Sequence, residues 1–209
     1  MRFGAIVLSG GRSLRMGRDK SRLPFGNETM LQRVLNRTRA GLLKVSPNPL
    51  VVVVAAEDRQ PVDLPAWVHV AVDHKPDEGP LRGLEAGLTA LSNLADAAFV
   101  TSCDVPFLEP AVIERLLTRL NGSRGIIAAE GNTGRLHPLC AAYAVNLLSE
   151  VQKLLAAGER RLQSLALCSG VGRLDVRELL EVDASLNSLL NLNHPQDYEA
   201  ALARISGLA

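Results

Sequence analysis

The sequence is poor in cysteine and in aromatic residues, and its charges almost cancel. Its three cysteines, Cys103, Cys140 and Cys168, are far apart and form no CxxC pair, which argues against a disulfide framework or a structural zinc site and favours a reducing compartment. With 23 basic and 22 acidic residues the formal net charge is +1, so the overall charge predicts no nucleic-acid partner and no anionic membrane surface. Any anion site must be a local concentration of charge.

Long apolar runs are also missing. No stretch reaches the roughly 18 residues that a membrane helix needs, and the chain begins in a strand-like run without a signal-peptide pattern. We therefore expect a cytoplasmic protein. What remains is an ordinary globular composition, with 47% hydrophobic and 22% charged residues in 209. This length suits one domain with a full core, which we expect to span residues 1–209.

The pattern of apolar residues predicts an α/β fold. Short runs rich in β-branched residues, at 3–8 and 50–56, are typical of strands buried on both faces of a parallel sheet. Weaker strand candidates are 68–72, 98–102, 125–129 and 138–143, and helical periodicity covers 30–43, 83–94, 110–120, 145–156 and 195–205. This alternation predicts a single-domain, doubly wound, mostly parallel sheet with helices on both faces. In such sheets ligands bind beyond the carboxyl ends of the strands, here the loops after Leu8, Val72 and Ser102.

The first of these loops, "LSGGRSLRMGRDKSRLPFG" from Leu8 to Gly26, combines glycines with basic residues. Glycine lets backbone N–H groups approach phosphate oxygens closely, and a lysine can place a point charge on a phosphate chain. The spacing matches neither a P-loop nor a dinucleotide-binding fingerprint. The alternative is a surface turn whose basic side chains are solvated.

Asp104 follows the apolar run "AAFVTSC" and should project from the carboxyl end of a central strand. A single carboxylate there suits Mg²⁺, which takes one or two protein oxygens and fills its other positions with water and phosphate. The alternative is a helix cap or a turn before Pro106. Its neighbour Cys103 is expected to be a small buried residue, and His69, His74 and His194 have no metal-ligand spacing.

The glycine-basic loop resembles the signature of the small nucleotidyltransferases, and its "MGRDK" is most similar to the molybdenum cofactor guanylyltransferase family. Four further motifs follow in the family's order: "GPLRGL" (79–84), "TSCDVPFL" (101–108), "RLHPLCAAY" (135–143) and "NLNHPQD" (191–197). The resemblance implies a Rossmann-like nucleotidyltransferase fold. It also implies transfer of GMP from GTP to the terminal phosphate of molybdopterin, with release of pyrophosphate.

The resemblance also implies roles for individual residues. It implies catalytic roles for Lys20 and Arg15 on the triphosphate and for Asp104 on Mg²⁺, with Mn²⁺ as the alternative ion. The second metal ligand is expected to be Asn193, with Asn191 as the alternative. The nucleotide-binding set is Leu8, Ser9, Gly10, Gly11, Lys20, Asp73 and Asp104. The acceptor-binding set is Gly79, Pro80, Leu81, Gly83 and His137.

GTP and molybdopterin are the expected substrates, and cofactor-delivery proteins and apo-molybdoenzymes are the expected transient partners. Three alternatives stay open. The first is a cytidylyltransferase acting on the same pterin, and the second is a nucleotidyltransferase for another small acceptor. The third, of a different class, is a non-catalytic GTP-binding or cofactor-carrier protein, which would bind GTP without forming pyrophosphate.

Overall fold

A seven-stranded sheet forms the centre of the computed structural model, which describes residues 1–9 and 19–207. In chain order its strands are β1 (Phe3–Leu8), β4 (Leu50–Ala56), β5 (Val68–Asp73), β6 (Ala97–Ser102), β7 (Gly125–Ala129), β8 (Leu136–Ala144) and β9 (Val171–Asp175), while β2 (Pro24–Phe25) and β3 (Glu28–Thr29) form a separate hairpin. The order across the sheet is β5-β4-β1-β6-β8-β7-β9. Strand β8 is antiparallel to both neighbours, and the other pairs are parallel. The predicted fold class is confirmed.

Helices cover both faces of the sheet. They are α1 (Met30–Leu42), α2 (Pro80–Leu91), α3 (Pro110–Arg119), α4 (Leu148–Ala156) and α5 (Pro195–Ile205). Buried side chains of α1 and α3 form one core with the sheet, and those of α2 and α4 form a second core on the opposite face. Helix α1 starts at a capping box between Thr29 and Gln32, and α2, α3 and α5 each begin with proline, whose missing N–H costs nothing there.

Helix α2 lies unusually close to β1, because Gly87 faces Ile6. A Cβ atom at Gly87 would lie 2.6 Å from the Ile6 Cγ2 atom, so a larger residue would push the helix away from the strand. One turn earlier, Gly83 lies against Leu8. This contact brings the start of α2 beside the carboxyl end of β1, where the ligand site is expected.

The second half of the chain departs most from the sequence-based expectation. Strand β9 was not predicted, because Gly172 and Arg173 interrupt its apolar pattern and, as an edge strand paired in parallel with β7, it needs little apolar sequence. Helix α2 begins at Pro80 rather than Gly83, and residues Val145–Leu147 form a 3₁₀ turn before α4. Among the described residues, no helix combines the length and apolarity required to cross a bilayer.

Candidate active site

A cavity of about 450 Å³ opens at the carboxyl ends of the parallel strands. The three loops expected to carry the site all contribute to it. Its lining residues are Leu8, Ser9, Asp19, Lys20, Val54, Asp73, Pro76, Asp77, Gly79, Pro80, Gly83, Cys103, Asp104 and Leu139. Residues far apart in the chain therefore share one concave surface.

Lys20 and Asp104 form an ion pair in this cavity. The Lys20 Nζ atom lies 2.9 Å from Asp104 Oδ2, and the two side chains are only 14% and 13% exposed. The same Nζ donates a hydrogen bond to Asn193 Oδ1 at 3.0 Å. One ammonium group thus contacts two oxygens from residues that are far apart in the chain.

The other oxygen of Asp104 is held by two donors. Ser102 Oγ donates to Asp104 Oδ1 at 2.5 Å, and Asn191 Nδ2 donates to the same atom at 3.0 Å. Asn191 therefore turns its amide nitrogen toward the carboxylate, whereas Asn193 turns its amide oxygen toward Lys20. This geometry favours Asn193 as the ligand for a cation and makes Asn191 a residue that orients Asp104.

The segment that carries the two asparagines is fixed from both ends. The Leu192 side chain is buried, and its N–H donates to the Asp104 carbonyl oxygen at 2.9 Å. On the other side, Asp197 Oδ2 accepts from the N–H groups of His194 and Asn193. These backbone hydrogen bonds, that of His194 first, hold the pKa of Asp197 below its usual range. The N-cap of α5 is His194, so Asn193 does not cap the helix.

Lys20 is held by the turn in which it lies. Asp19 is the N-cap of the 3₁₀ turn Lys20–Arg22, and its Oδ1 atom accepts from both N–H and Oγ of Ser21. The chain then enters a small hydrophobic cluster made of Leu23, Phe25, Met30, Phe107, Leu192 and Ala201. This cluster joins the end of the first loop to the segment of Asn191 and Asn193.

The residues around Lys20 fit a divalent cation. Asp104 Oδ2 and Asn193 Oδ1 converge on a positive group, here an ammonium, and hard oxygen ligands of this kind suit Mg²⁺ or Mn²⁺. Across residues 1–9 and 19–207, no three histidine, cysteine, aspartate or glutamate side chains cluster as a metal site. The donor set therefore fits an ion that takes most of its ligands from water or phosphate and does not fit a structural metal.

Part of the first loop is not among the residues that the structure describes. Gly10, Gly11 and Arg15 lie in the segment 10–18, outside the described residues. Leu8 and Ser9 are described and line the cavity, but the Leu8 carbonyl accepts from the Cys103 N–H and the Ser9 N–H donates to the Val54 carbonyl. These two backbone groups therefore form hydrogen bonds between the end of β1 and its neighbouring strands.

Cys103 is buried, as expected. Burial, and then the charge of Asp104, raise the pKa of its thiol to about 12. A thiol with such a pKa stays protonated at neutral pH, so it is no nucleophile.

Asp73 and the loop before α2 form the other side of the cavity. Asp73 ends β5, is buried, and accepts the Lys75 N–H at 2.9 Å through Oδ1. Gly79 has a φ of +90°, and a Cβ there would lie 3.0 Å from the Arg160 carbonyl oxygen. Only glycine combines this backbone with so close an approach.

One expectation for this loop needs correction. Leu81 was expected to contact the acceptor. The Leu81 side chain is fully buried in the core, and its N–H donates to the Arg160 carbonyl at 3.3 Å. The Arg82 N–H donates to Gly79, and Pro80 has no N–H. The loop therefore meets the cavity through Gly79, Pro80 and Gly83.

A second cavity, of about 370 Å³, adjoins the first. Pro80 and Leu139 line both cavities and form the wall between them. The second is also lined by Val105, Arg135, Leu136, His137, Pro138, Cys140, Leu162, Gln163, Ser188, Leu189 and Asn191. The residue Asn191, which touches Asp104, thus faces this second cavity.

His137 is held in the second cavity by an acid. Its Nε2 atom lies 3.1 Å from Glu130 Oε1, and its side chain is 12% exposed. Hydrogen bonds from Thr133, and then from His137, hold the pKa of Glu130 below its usual range. The imidazole is therefore fixed in orientation by its contact with Glu130, and His137 lines the second cavity in that orientation.

Sequence reasoning missed the turn that supports the wall. The Glu159 carboxylate accepts from the N–H groups of Arg160 and Arg161 and from Ser164 Oγ. Hydrogen bonds from the Arg161 side chain and Ser164 hold the pKa of Glu159 far below its usual range. The only signal in the sequence was the polar stretch "GERR" before an apolar run, which gives no indication that its carbonyl groups meet the loop of Gly79.

The sequence matches a known family of transferases. Residues 5–170 match the family model described as the MobA-like NTP transferase domain. A curated protein named probable molybdenum cofactor guanylyltransferase, from Chloroflexus aggregans, is 33% identical across 97% of this chain and 95% of its own length.

Solved structures share the fold. Molybdopterin-guanine dinucleotide biosynthesis protein A from Archaeoglobus fulgidus superposes with a TM-score of 0.79 at 24% identity, covering 98% of this chain and 99% of that one. Rv0371c of Mycobacterium tuberculosis, in complex with manganese, has a TM-score of 0.58 at 15% identity, covering 97% and 98%. At these identities the structures establish the fold alone.

The supporting turn gives a first testable expectation. Glu159→Gln removes the charge that gathers donors from three residues, so the Leu81 N–H, which donates to the adjoining Arg160 carbonyl, should exchange with solvent faster by about tenfold. Because the pKa of Glu159 is lowered, the effect should be full above the usual glutamate range and should fade as pH falls through the lowered pKa. Hydrogen exchange by NMR measures it. Glu150→Gln, in the same region but paired with Lys153, is the control; equal exchange in both variants contradicts the supporting role.

Proposed function

The chain belongs to the MobA-like NTP transferase family, and from this premise we propose that it is a molybdenum cofactor guanylyltransferase. It transfers GMP from GTP to the terminal phosphate of molybdopterin and releases pyrophosphate. The observation that carries the proposal is the contact of Lys20 with Asp104 and Asn193, because Lys20 and Asp104 line a cavity that adjoins a second one. Two cavities with one charged cluster near their common wall suit a reaction between two phosphorylated substrates.

The nucleotide occupies the first cavity in this proposal. Lys20 places its charge on the triphosphate, together with Arg15 of the segment outside the description. Asp73 is buried at the cavity surface, and its carboxylate accepts from the N1 and N2 donors of guanine. A cytosine ring offers no matching pair of donors, so this acid favours GTP over CTP.

The acceptor occupies the second cavity. His137 and Arg135 line it, and each can donate a hydrogen bond to a phosphate or a pterin oxygen. In this arrangement the terminal phosphate of the acceptor faces the nucleotide across the shared residues Pro80 and Leu139. Cofactor-delivery proteins and apo-molybdoenzymes are the proposed transient partners that bring this substrate and take the product.

The chemistry consists of positioning and charge. A phosphate oxygen of the acceptor forms a bond to the α-phosphorus of GTP, and the bond from that phosphorus to the oxygen that bridges the α- and β-phosphates breaks, so that this oxygen leaves with pyrophosphate. The attacking oxygen is already an anion, so no general base is needed. Asp104 and Asn193 would hold Mg²⁺, or Mn²⁺ in its place, which when bound neutralises charge on the phosphates. Lys20 stabilises the negative charge that moves to pyrophosphate, and Ser102 and Asn191 keep Asp104 in one orientation.

The function is tested by pyrophosphate release from each of the four nucleoside triphosphates, with and without molybdopterin. We expect release from GTP that depends on molybdopterin, at a rate at least about tenfold above that with CTP, since the wrong base offers the buried Asp73 carboxylate fewer hydrogen-bond donors. Preference for CTP would support the cytidylyltransferase alternative. GTP binding without pyrophosphate would support the non-catalytic one.

Asp104 is expected to be essential for transfer. Asp104→Asn keeps the shape and removes the charge that holds the cation, so kcat should fall by at least about 10²-fold, and the thermal midpoint should fall as well because Lys20 loses its charged partner. Steady-state kinetics and a melting curve measure the two effects. The control is Asp96→Asn, immediately before the same strand, where the acid is exposed and pairs with Arg2. A folded Asp104→Asn protein with near-normal kcat contradicts the assignment.

His137 is expected to act on the acceptor alone. His137→Gln removes an imidazole held by Glu130 in the second cavity, so KM for molybdopterin should rise by about tenfold, as expected for one lost hydrogen bond to a charged group, with KM for GTP unchanged. Kinetics with each substrate varied in turn separate these values. His69→Gln, on the exposed side of β5, serves as the control. A rise in KM for GTP instead would place the nucleotide, not the acceptor, in the second cavity.

A further inference from the structure

Lys20 lies where a metal ion would have to bind. Its Nζ atom contacts Asp104 Oδ2 at 2.9 Å and Asn193 Oδ1 at 3.0 Å. These are the two oxygens that fit a divalent cation. The ammonium group is largely buried and is therefore held between the oxygens rather than extended into solvent.

An ammonium and a divalent ion cannot share these two oxygens. Two cations a few ångströms apart in a site screened from water repel each other strongly. For a metal to bind, Lys20 has to give up both contacts. In the free protein a metal therefore competes with a positive charge that belongs to the chain itself.

Lys20 can give up its contacts with Asp104 and Asn193 without a loss of stability only if another anion binds its ammonium group. Asp19, the nearest acid in sequence, uses Oδ1 for Ser21, and its Oδ2 lies 3.5 Å from Arg22 Nε. Losing both partners would leave a partly buried lysine uncompensated, which is costly. A triphosphate in the same cavity supplies the missing negative charge and also carries the metal.

We propose that Lys20 holds the place of the metal in the free protein and gives it up only to a metal that arrives with a nucleoside triphosphate. Lys20 is then a specificity-determining residue: it makes the chain select the metal–nucleotide complex over the free metal ion. The identity of the triphosphate rests on the proposed function. The competition between Lys20 and the metal rests on the contacts of Lys20 alone.

The test measures the direct binding of Mn²⁺ to the protein without nucleotide or acceptor. The electron paramagnetic resonance signal of the free ion reports how much Mn²⁺ is unbound. Wild-type protein should bind Mn²⁺ weakly. Lys20→Met, which keeps the length of the side chain and removes its charge, should bind Mn²⁺ roughly ten- to a hundredfold more tightly, the range expected when a charged hydrogen-bonding competitor is removed. Equal affinity in wild type and Lys20→Met overturns the proposal.

Two controls test whether the gain in Mn²⁺ affinity arises at the two oxygens that Lys20 contacts. Lys75→Met removes the same charge from an exposed lysine that pairs with Glu78, and its Mn²⁺ affinity should equal that of wild type. The double variant Lys20→Met/Asn193→Ala should lose most of the gain, because one of the two oxygens is gone. A gain that appears with Lys75→Met, or persists without Asn193, shows a general charge effect and rejects the proposal. Lys20→Gln repeats the test should Lys20→Met fold poorly.

Adding a non-hydrolysable GTP analogue completes the test. Wild-type protein should then retain Mn²⁺ tightly, and the increase on adding nucleotide should be much smaller for Lys20→Met, since its metal site is already accessible. None of these measurements involves turnover. A chain that shows this pattern but forms no guanine dinucleotide would contradict the proposed function and leave this inference standing.

Discussion

The contact between Lys20 and Asp104 joins parts of the chain that are 84 residues apart, and the geometry of the site follows from it. Lys20 is carried by the turn after the first strand, and Asp104 by the end of β6, which pairs with β1. Because the two strands are parallel neighbours, their carboxyl ends lie side by side. The segment of Asn191 and Asn193 is fastened to Asp104 by the Leu192 N–H, so the end of the chain closes the same site. A change in the pairing of β1 and β6 would separate all of these groups.

The sequence predicted the sheet and the place of the site because both depend on local patterns. Runs of β-branched residues identify buried parallel strands, and the rule for open α/β sheets then places the loops after Leu8, Val72 and Ser102 together. Asp104 and Lys20 were identified from residue type and position, and the structure brings them into contact. Strand β9 escaped prediction because an edge strand is specified mainly by its partner, here β7, and only weakly by its own composition.

The rest of the site depends on contacts that no local pattern encodes. Sequence could not decide between Asn191 and Asn193, since the two differ in which amide atom is turned toward the ion pair of Lys20 and Asp104. Asn191 donates its amide nitrogen to Asp104, whereas Asn193 accepts from Lys20 through its amide oxygen. Leu81 was misplaced for a similar reason. It lies in a glycine-rich motif, but helical periodicity turns its side chain to the core together with Leu84 and Leu88. The hydrogen bond from the Leu81 N–H to the Arg160 carbonyl joins two turns 79 residues apart, and no periodic pattern in the sequence predicts it.

The charge balance of the site explains how one protein can receive two polyanions and still be specific. A cavity with unpaired positive charge would attract any phosphate, because electrostatic attraction alone does not distinguish one anion from another. Here the positive charge of Lys20 is neutralised by Asp104 in the free protein, and the net charge of the whole chain is only +1. An anion that brings no cation must compete with Asp104 for Lys20. In the proposed function, a triphosphate that brings a divalent ion would satisfy Asp104 with the ion and Lys20 with phosphate at the same time. Selectivity then follows from the exchange of partners within one ion pair.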